Sequence, residues 1–313
     1  MADDADDADD GAAGATRAGF VALVGRPNVG KSTLLNALVG QKLSIVTPRA
    51  QTTREAVTGI LTTDDAQIIF VDTPGLLEPR YALQQSMLDA ARRSLLDADV
   101  VLLLLDGTHP TDLPAGEALE DLRKRRDRLL AVVNKVDAPD SQPEIAADWC
   151  RSELGVEAHH VSALAGTGLE ELMGRMVQAV PKGPFLYPAD DIAVQPVRFF
   201  VAELVRETIF EQYADEVPYA SVVRVEEFRE EADPVYIRAT IYVDRESQKG
   251  IIIGKGGVAL RTLGTVAREK IETFLEQRIY LDLWVKSMPG WRRKSASLQH
   301  LGYAAPREDG HGN

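Results

Sequence analysis

The octapeptide GRPNVGKS at 25–32 constrains this chain more than any other segment. It follows the apolar run FVALV at 20–24 and leads into TLLNAL, whose apolar residues have helical spacing. Strand, then GxxxxGK[ST], then helix is the context of a phosphate-binding loop. Its glycines let backbone N–H groups turn inward around phosphates, and the helix start adds its positive end. In that setting Lys31 reaches the terminal phosphates and the Ser32 hydroxyl is placed to ligate Mg²⁺.

The segments that follow narrow the class. An apolar strand at 68–71 ends in Asp72-Thr73-Pro74-Gly75. An Asp at a strand end can hold Mg²⁺ through water, and a Gly three residues on can offer its N–H to a γ-phosphate. Another apolar run, 100–105, ends in Asp106-Gly107, and a third, 129–133, ends in Asn134-Lys135-Val136-Asp137. The Asp137 carboxylate can accept both hydrogen bonds from the N1–H and 2-amino edge of guanine, a pair that adenine does not offer. One βα unit later, Val161-Ser162-Ala163 can turn a backbone N–H toward guanine O6.

Taken in order, GRPNVGKS, DTPG, NKVD and SAL resemble the motifs of the translation-factor-related GTPases over about 17–183. The resemblance implies GTP/GDP contacts from Gly25, Arg26, Pro27, Asn28, Val29, Gly30, Lys31, Ser32 and Thr33. Further contacts are implied for Asp72, Thr73, Pro74, Gly75 and Leu76, for Asn134, Lys135 and Asp137, and for Ser162, Ala163 and Leu164. Switch I spans about 41–55 and switch II about 73–87. Within Gln51-Thr52-Thr53-Arg54-Glu55, Thr53 is preferred over Thr52 as the third Mg²⁺ ligand beside Ser32 and Asp72. Leu76 stands where Ras-like proteins carry the glutamine that orients water. The resemblance therefore implies slow intrinsic hydrolysis and, through an asparagine in the loop, a K⁺ ion near the phosphates; Asn28 holds that position. Catalysis is assigned to Lys31, Thr53, Asp72, Gly75 and Asn28, with no side-chain base.

A Pro- and Gly-rich stretch at 181–188 reads as a linker. Beyond it, 197–213 has helical spacing, and 220–228 and 235–243 alternate as antiparallel strands. Then come Gly250-Ile251-Ile252-Ile253-Gly254-Lys255-Gly256-Gly257, a helix over about 258–276 and a strand at 279–286. A short helix, a Gly-x-x-Gly turn and a second helix is the KH arrangement, whose loop clamps about four nucleotides of single-stranded RNA. The expected RNA contacts are Gly250, Ile251, Ile252, Ile253, Gly254, Lys255, Gly256, Gly257 and Arg261, with the three isoleucines walling a base groove. Trp284 lies inside an alternating strand and is expected in the core; Trp291 is left open between core and base stacking. The basic run of Lys286, Arg292, Arg293 and Lys294 is equally a solvated face or a phosphate contact.

The charge supports a local site only. Of 313 residues, 48 are acidic and 35 basic, a net of -13. That excludes a protein coated in basic charge for indiscriminate nucleic-acid binding. Residues 1–183 carry -10 and 184–244 carry -8, whereas 245–300 carry +6 around the Gly-x-x-Gly turn. The first 16 residues, with six aspartates, read as a disordered acidic tail, and 304–313 as a shorter one. The single cysteine, Cys150, excludes an intramolecular disulfide and a multi-cysteine metal site. No signal peptide or membrane span is legible, so a cytoplasmic protein is expected.

The expected fold class is α/β: a P-loop GTPase domain at 17–183, mostly parallel sheet with helices on both faces. A linker at 184–196 and an α+β type II KH domain at 197–303 follow. This order resembles the Era family over about 17–303, with QKLSIVTPRAQTTR, VDTPGLL, VPYAS, QKGIIIGKGG and LDLWVK in sequence. The resemblance implies a monomer that binds the single-stranded 3′ end of 16S rRNA, a part in maturation of the 30S ribosomal subunit, and peripheral association with the inner membrane surface. A second reading is an RNA-binding assembly protein or sensor in which nucleotide binding matters more than hydrolysis.

Overall fold

The computed structural model describes residues 16–47, 49, 52–75 and 79–304. The acidic tail before Thr16, the tail after Ala304, Gln51 and Leu76 lie outside them.

The first half is a six-stranded sheet. In chain order its elements are β1 (Arg17–Val24), α1 (Lys31–Val39), β2 (Val57–Thr62), β3 (Ala66–Asp72), α2 (Ala82–Asp97), β4 (Val100–Asp106), α3 (Gly116–Arg123), β5 (Leu129–Asn134), α4 (Pro143–Trp149), β6 (Ala158–His160) and α5 (Leu169–Ala179). The strand order is β2-β3-β1-β4-β5-β6. Only β2 runs antiparallel, against β3. Both faces are covered, so the inner strands are apolar on successive residues rather than alternating. Val21 and Leu23 enter one core with Leu34, Leu35 and Met176, while Ala22 and Val24 enter the other with Leu122 and Cys150. Every residue of β4 is buried. Burial pushes the Cys150 thiol up to about 12, as a packed apolar residue requires. The loops carrying the four motifs leave the C-terminal ends of β1, β3, β5 and β6 on one edge, where α/β sheets bind ligands.

The segment read as a linker is docked rather than loose. The Gln67 side chain accepts from the N–H groups of Leu186 and Tyr187. Ile60 N–H donates to Ile192 O, and Gln195 bonds Thr58 N–H and Ala56 O. This stretch covers the outer edge of β2, which would otherwise expose unpaired backbone groups.

The second half runs α6 (Val197–Gln212), α7 (Val217–Ala220), β7 (Ser221–Arg229), β8 (Val235–Val243), α8 (Glu246–Ile253), α9 (Val258–Leu275), β9 (Ile279–Ser287) and α10 (Ser295–His300). Its sheet, β7-β8-β9, pairs β7 with β8 antiparallel and β8 with β9 parallel. Val201, Val205 and Ile209 of α6 pack with Leu263, Ala267 and Ile271 of α9 against Ile237, Ala239 and Ile241. The expected order α-β-β-α-α-β is therefore present, with α7 and α10 added. Among the described residues no helix is long and apolar enough to cross a membrane.

Candidate nucleotide and RNA sites

A cavity of about 710 Å³ opens at the motif edge of the six-stranded sheet, lined by residues of the first, fourth and fifth motifs together with switch I. Lys31 is buried at its base, where Nζ donates to the carbonyls of Gly25 and Arg26 at 3.1 and 3.0 Å. Desolvation lowers its pKa to about 8 against the pull of Asp72. An ammonium held on two neutral carbonyls is poised for a stronger anionic partner.

Three oxygens converge beside it. Ser32 Oγ donates to Asp72 Oδ2 at 2.7 Å, and Thr53 Oγ1 lies 3.0 Å from Ser32 Oγ and 3.4 Å from Asp72 Oδ2. Asp72 is fully buried, and its Oδ1 has no hydrogen-bond partner. Burial pushes its carboxyl above the usual range although Lys31 and Ser32 oppose this. A buried carboxylate with an unmet oxygen beside two hydroxyls is the donor set that Mg²⁺ takes. The residues fit the ion, and the hydroxyl of Thr53 stands with them.

Gly75 lies against the phosphate loop: a Cβ there would stand 2.8 Å from Pro27 N. Opposite, Asp137 is exposed on the cavity wall, and Lys135 pairs with Asp106 at 2.6 Å. Asn134 ties two loops together: its Nδ2 donates to Val29 O at 2.8 Å, and its Oδ1 accepts from Ala163 N–H at 2.9 Å.

In the second half, the turn 254–257 joins α8 to α9. Gly254 has φ 70°, and a Cβ there would lie 2.6 Å from the Ala259 Cβ, so only glycine fits this close approach. Lys255 and Arg261 are exposed. A groove of about 440 Å³ runs from Gly257 along Leu260, Gly264 and Arg268 of α9, facing Tyr280, Leu281 and Leu283 of β9.

Comparison with known proteins decides the family. Residues 20–135 match a family described as 50S ribosome-binding GTPase, and 216–292 match the KH domain family. The chain is 42% identical over 291 residues to the GTPase Era of Carboxydothermus hydrogenoformans, covering 92% of this chain and 98% of that one. It is 43% identical to the GTPase Era of Caldanaerobacter subterraneus, covering 93% and 99%. The chain belongs to the Era family of GTPases. A crystal structure of a variant of Aquifex aeolicus Era bound to GDP·AlF4⁻ superposes with a TM-score of 0.83 at 38% identity, covering 92% of this chain and 100% of that one. A crystal structure of Era in complex with MgGDPNP and nucleotides 1506–1542 of 16S ribosomal RNA superposes with the same TM-score and identity, covering 92% and 99%.

Within this Era-family chain the expected site residues divide. Arg26, Pro27, Asn28, Val29, Gly30, Lys31, Ser32, Thr33, Thr53, Gly75, Asn134, Lys135, Asp137, Ala163 and Leu164 line the cavity. Gly25, Asp72, Thr73, Pro74 and Ser162 stand behind them. Thr73 is buried and donates to Leu23 O at 2.7 Å, which anchors the strand end. The N–H groups of Val161, Ser162 and Ala163 donate to Val133 O, Thr167 O and Asn134 Oδ1. The next residue, Leu164, is exposed on the cavity wall. Sequence reasoning missed Ile45, Val46, Thr47, His109, Asp112 and Ala138 on the cavity wall; no spacing rule marks them, because their loops are closed by tertiary contacts.

Two expectations in the KH half are corrected, and the open one, Trp291, is decided. Ile252 is fully buried in the core, so of the isoleucine wall it anchors α8 while Ile251 is exposed. Trp284 is 55% exposed, not core. Trp291 is the core residue: it is fully buried, and its Nε1 donates to Ala220 O at 2.9 Å. Of the basic run, Arg292 pairs with Asp244 at 3.1 Å.

The switch segments also touch the KH half. Arg54 is buried, and its guanidinium donates to the carbonyls of Ser221, Pro218 and Tyr219 at 2.6, 3.2 and 3.0 Å. Lys42 pairs with Glu207 at 2.7 Å, and Glu207 also accepts from Lys270 at 2.9 Å. Behind switch II, Leu83 and Met87 of α2 pack with Trp291, Leu298 and Leu301, and Ser86 Oγ donates to Ala304 O at 2.8 Å.

Proposed function

We propose that this chain is a GTP-hydrolysing switch that binds single-stranded small-subunit ribosomal RNA near its 3′ end through the KH groove and assists 30S subunit maturation. The observation that carries the proposal is the placement of Thr53. Its hydroxyl meets Ser32 and Asp72 in the cavity, while its neighbours Thr52 and Arg54 bond to the KH half. Nucleotide contacts and KH docking are thereby joined through three consecutive residues.

In this reading Asp137 selects guanine, Lys31 and the loop N–H groups bind the phosphates, and Gly75 offers its N–H beside Pro27. Ser32, Thr53 and Asp72 would hold Mg²⁺, which would supply charge neutralisation to the phosphates when bound. Asn28 lines the cavity, and its side-chain amide carries a neutral oxygen of the type that suits K⁺. Catalysis in this reading rests on fixed charge and positioning. On hydrolysis switch I loses its γ-phosphate contacts and the bonds from 52 and 54 re-present the KH groove. The protein works in the cytoplasm, with any membrane contact peripheral.

Single-turnover GTP hydrolysis with and without RNA carrying the ribosomal 3′ end tests the switch. Stimulation by that RNA is expected, and Gly254→Asp and Lys255→Glu are expected to abolish it without changing the basal rate. Equal rates with and without RNA would favour the sensor reading instead.

A further inference from the structure

The outer face of the KH sheet is only half covered. Along β8 and β9 the odd-numbered residues, such as Ile237, Ile241 and Ile279, enter the core, so the even-numbered ones face outward. At one end Tyr242 and Val222 lie under Trp291, Leu298 and Leu301. At the other end Tyr280 and Trp284 stand open, 58% and 55% exposed.

These rings are held in place. Tyr236 and Tyr280, register partners on adjacent strands, stack with centroids 5.8 Å apart and planes 11° from parallel. Asp282 Oδ2 accepts from Tyr236 OH at 3.0 Å, from Arg238 Nε at 3.1 Å and from Trp284 Nε1 at 3.0 Å. The guanidinium groups of Arg229 and Arg238 lie over the Tyr236 ring at 5.0 and 5.6 Å. One half-buried carboxylate thus fixes a tyrosine, an arginine and an indole, while Arg238 offsets its charge. Rings ordered before binding lose little entropy when a flat ligand stacks on them. Tyr280 also lines the groove beside α9, so the array begins where that groove ends.

We propose that this half-face is a second RNA platform. Single-stranded RNA leaving the Gly-x-x-Gly groove crosses the β9 edge at Tyr280 and stacks a base on Trp284. The proposal rests on the KH groove reading. Continuity with that groove, flat exposed rings and flanking arginines favour RNA over a protein partner.

The test measures binding of the full chain to two RNAs from the ribosomal 3′ end by fluorescence anisotropy. One fills the groove with about four nucleotides; the other is the same strand extended past the β9 edge. The extended RNA is expected to bind more tightly to the wild type. Trp284→Ala should lose roughly tenfold on the extended RNA only, Trp284→Phe should restore most of it, and Asp282→Asn should lose less than Trp284→Ala. Lys255→Glu should weaken both RNAs. If Trp284→Ala binds the extended RNA like the wild type, the platform is overturned, and loss of a 30S protein by that variant would reassign the face. If Lys255→Glu is silent while Trp284→Ala weakens the extended RNA, the groove reading falls and the platform stands.

Discussion

Arg206 Nη2 donates to the carbonyl oxygen of Thr52 at 2.5 Å, so a buried guanidinium of α6 holds the residue next to Thr53. Glu203 fixes that guanidinium through bonds of 2.7 and 2.5 Å, and the Phe210 ring lies beneath it at 5.5 Å. Arg54 crosses the same boundary in the opposite direction. Two arginines therefore brace switch I from both halves, and each satisfies backbone carbonyls that would otherwise be buried without donors.

Removing one brace should uncouple the halves. Arg54→Met keeps the apolar stem but leaves the carbonyls of Pro218, Tyr219 and Ser221 short of a donor. We expect a loss of about 2–4 kcal/mol in unfolding free energy. We also expect unchanged basal GTP turnover and lost stimulation by RNA. Denaturant unfolding and paired turnover assays check this; full stimulation in the variant would show that Arg54 is structural only.

The choice of Thr53 over Thr52 makes a sharp forecast. Thr53→Ala removes a hydroxyl 3.0 Å from Ser32 Oγ and should raise the Mg²⁺ concentration needed for half-maximal turnover by about tenfold. Thr52→Ala keeps its carbonyl on Arg206 and should leave that midpoint in place. A Mg²⁺ titration showing the reverse order would move the ligand by one residue.

Much of this was legible because the relevant signals are local. GRPNVGKS, DTPG and NKVD each follow an apolar strand, so chain connectivity alone puts them on one edge of a parallel sheet. The two tryptophans show where local signals fail. Alternation along β9 assigns Trp284 to a face, but which face is covered depends on where α6 and α9 pack against the sheet. Trp291 lies in a short turn with no pattern, and it is buried because α2, some 200 residues earlier, docks on it. Asn134 was legible as part of a motif but not as a tie between two loops, since Val29 and Ala163 lie 105 and 29 residues away.

The Glu207 cluster gives the boundary a pH dependence. Burial would raise this carboxyl, but donors from Lys42 and Lys270 outweigh it and hold it below the ordinary range. A carboxylate with a depressed folded pKa contributes stability above the unfolded value near 4.5, and that contribution is lost as pH falls through the lower folded value. Glu207→Gln should therefore cost about 2 kcal/mol at pH 7, with the gap to wild type closing below about pH 4.5. Thermal melts of both proteins across that range measure it; a gap independent of pH would mean that the ion pairs contribute nothing.

Leu76 has no group to orient a water molecule, so assistance to hydrolysis is expected from charge at the phosphates. Asn28 lines the cavity in a left-handed conformation, φ 66°, between Pro27, against which Gly75 packs, and the loop that leads to Lys31. An amide oxygen there can share a K⁺ with the phosphates, whereas the smaller Na⁺ binds its own water more tightly and fits such a carbonyl-type site less well. Turnover in KCl should exceed that in NaCl by about tenfold, equal to ~1.4 kcal/mol of barrier. Asn28→Ala should bring the two salts level while leaving guanine selectivity, set by Asp137, as it was. Identical rates in both salts for the wild type would remove Asn28 from the catalytic set and leave Lys31, Mg²⁺ and the Gly75 N–H to account for hydrolysis.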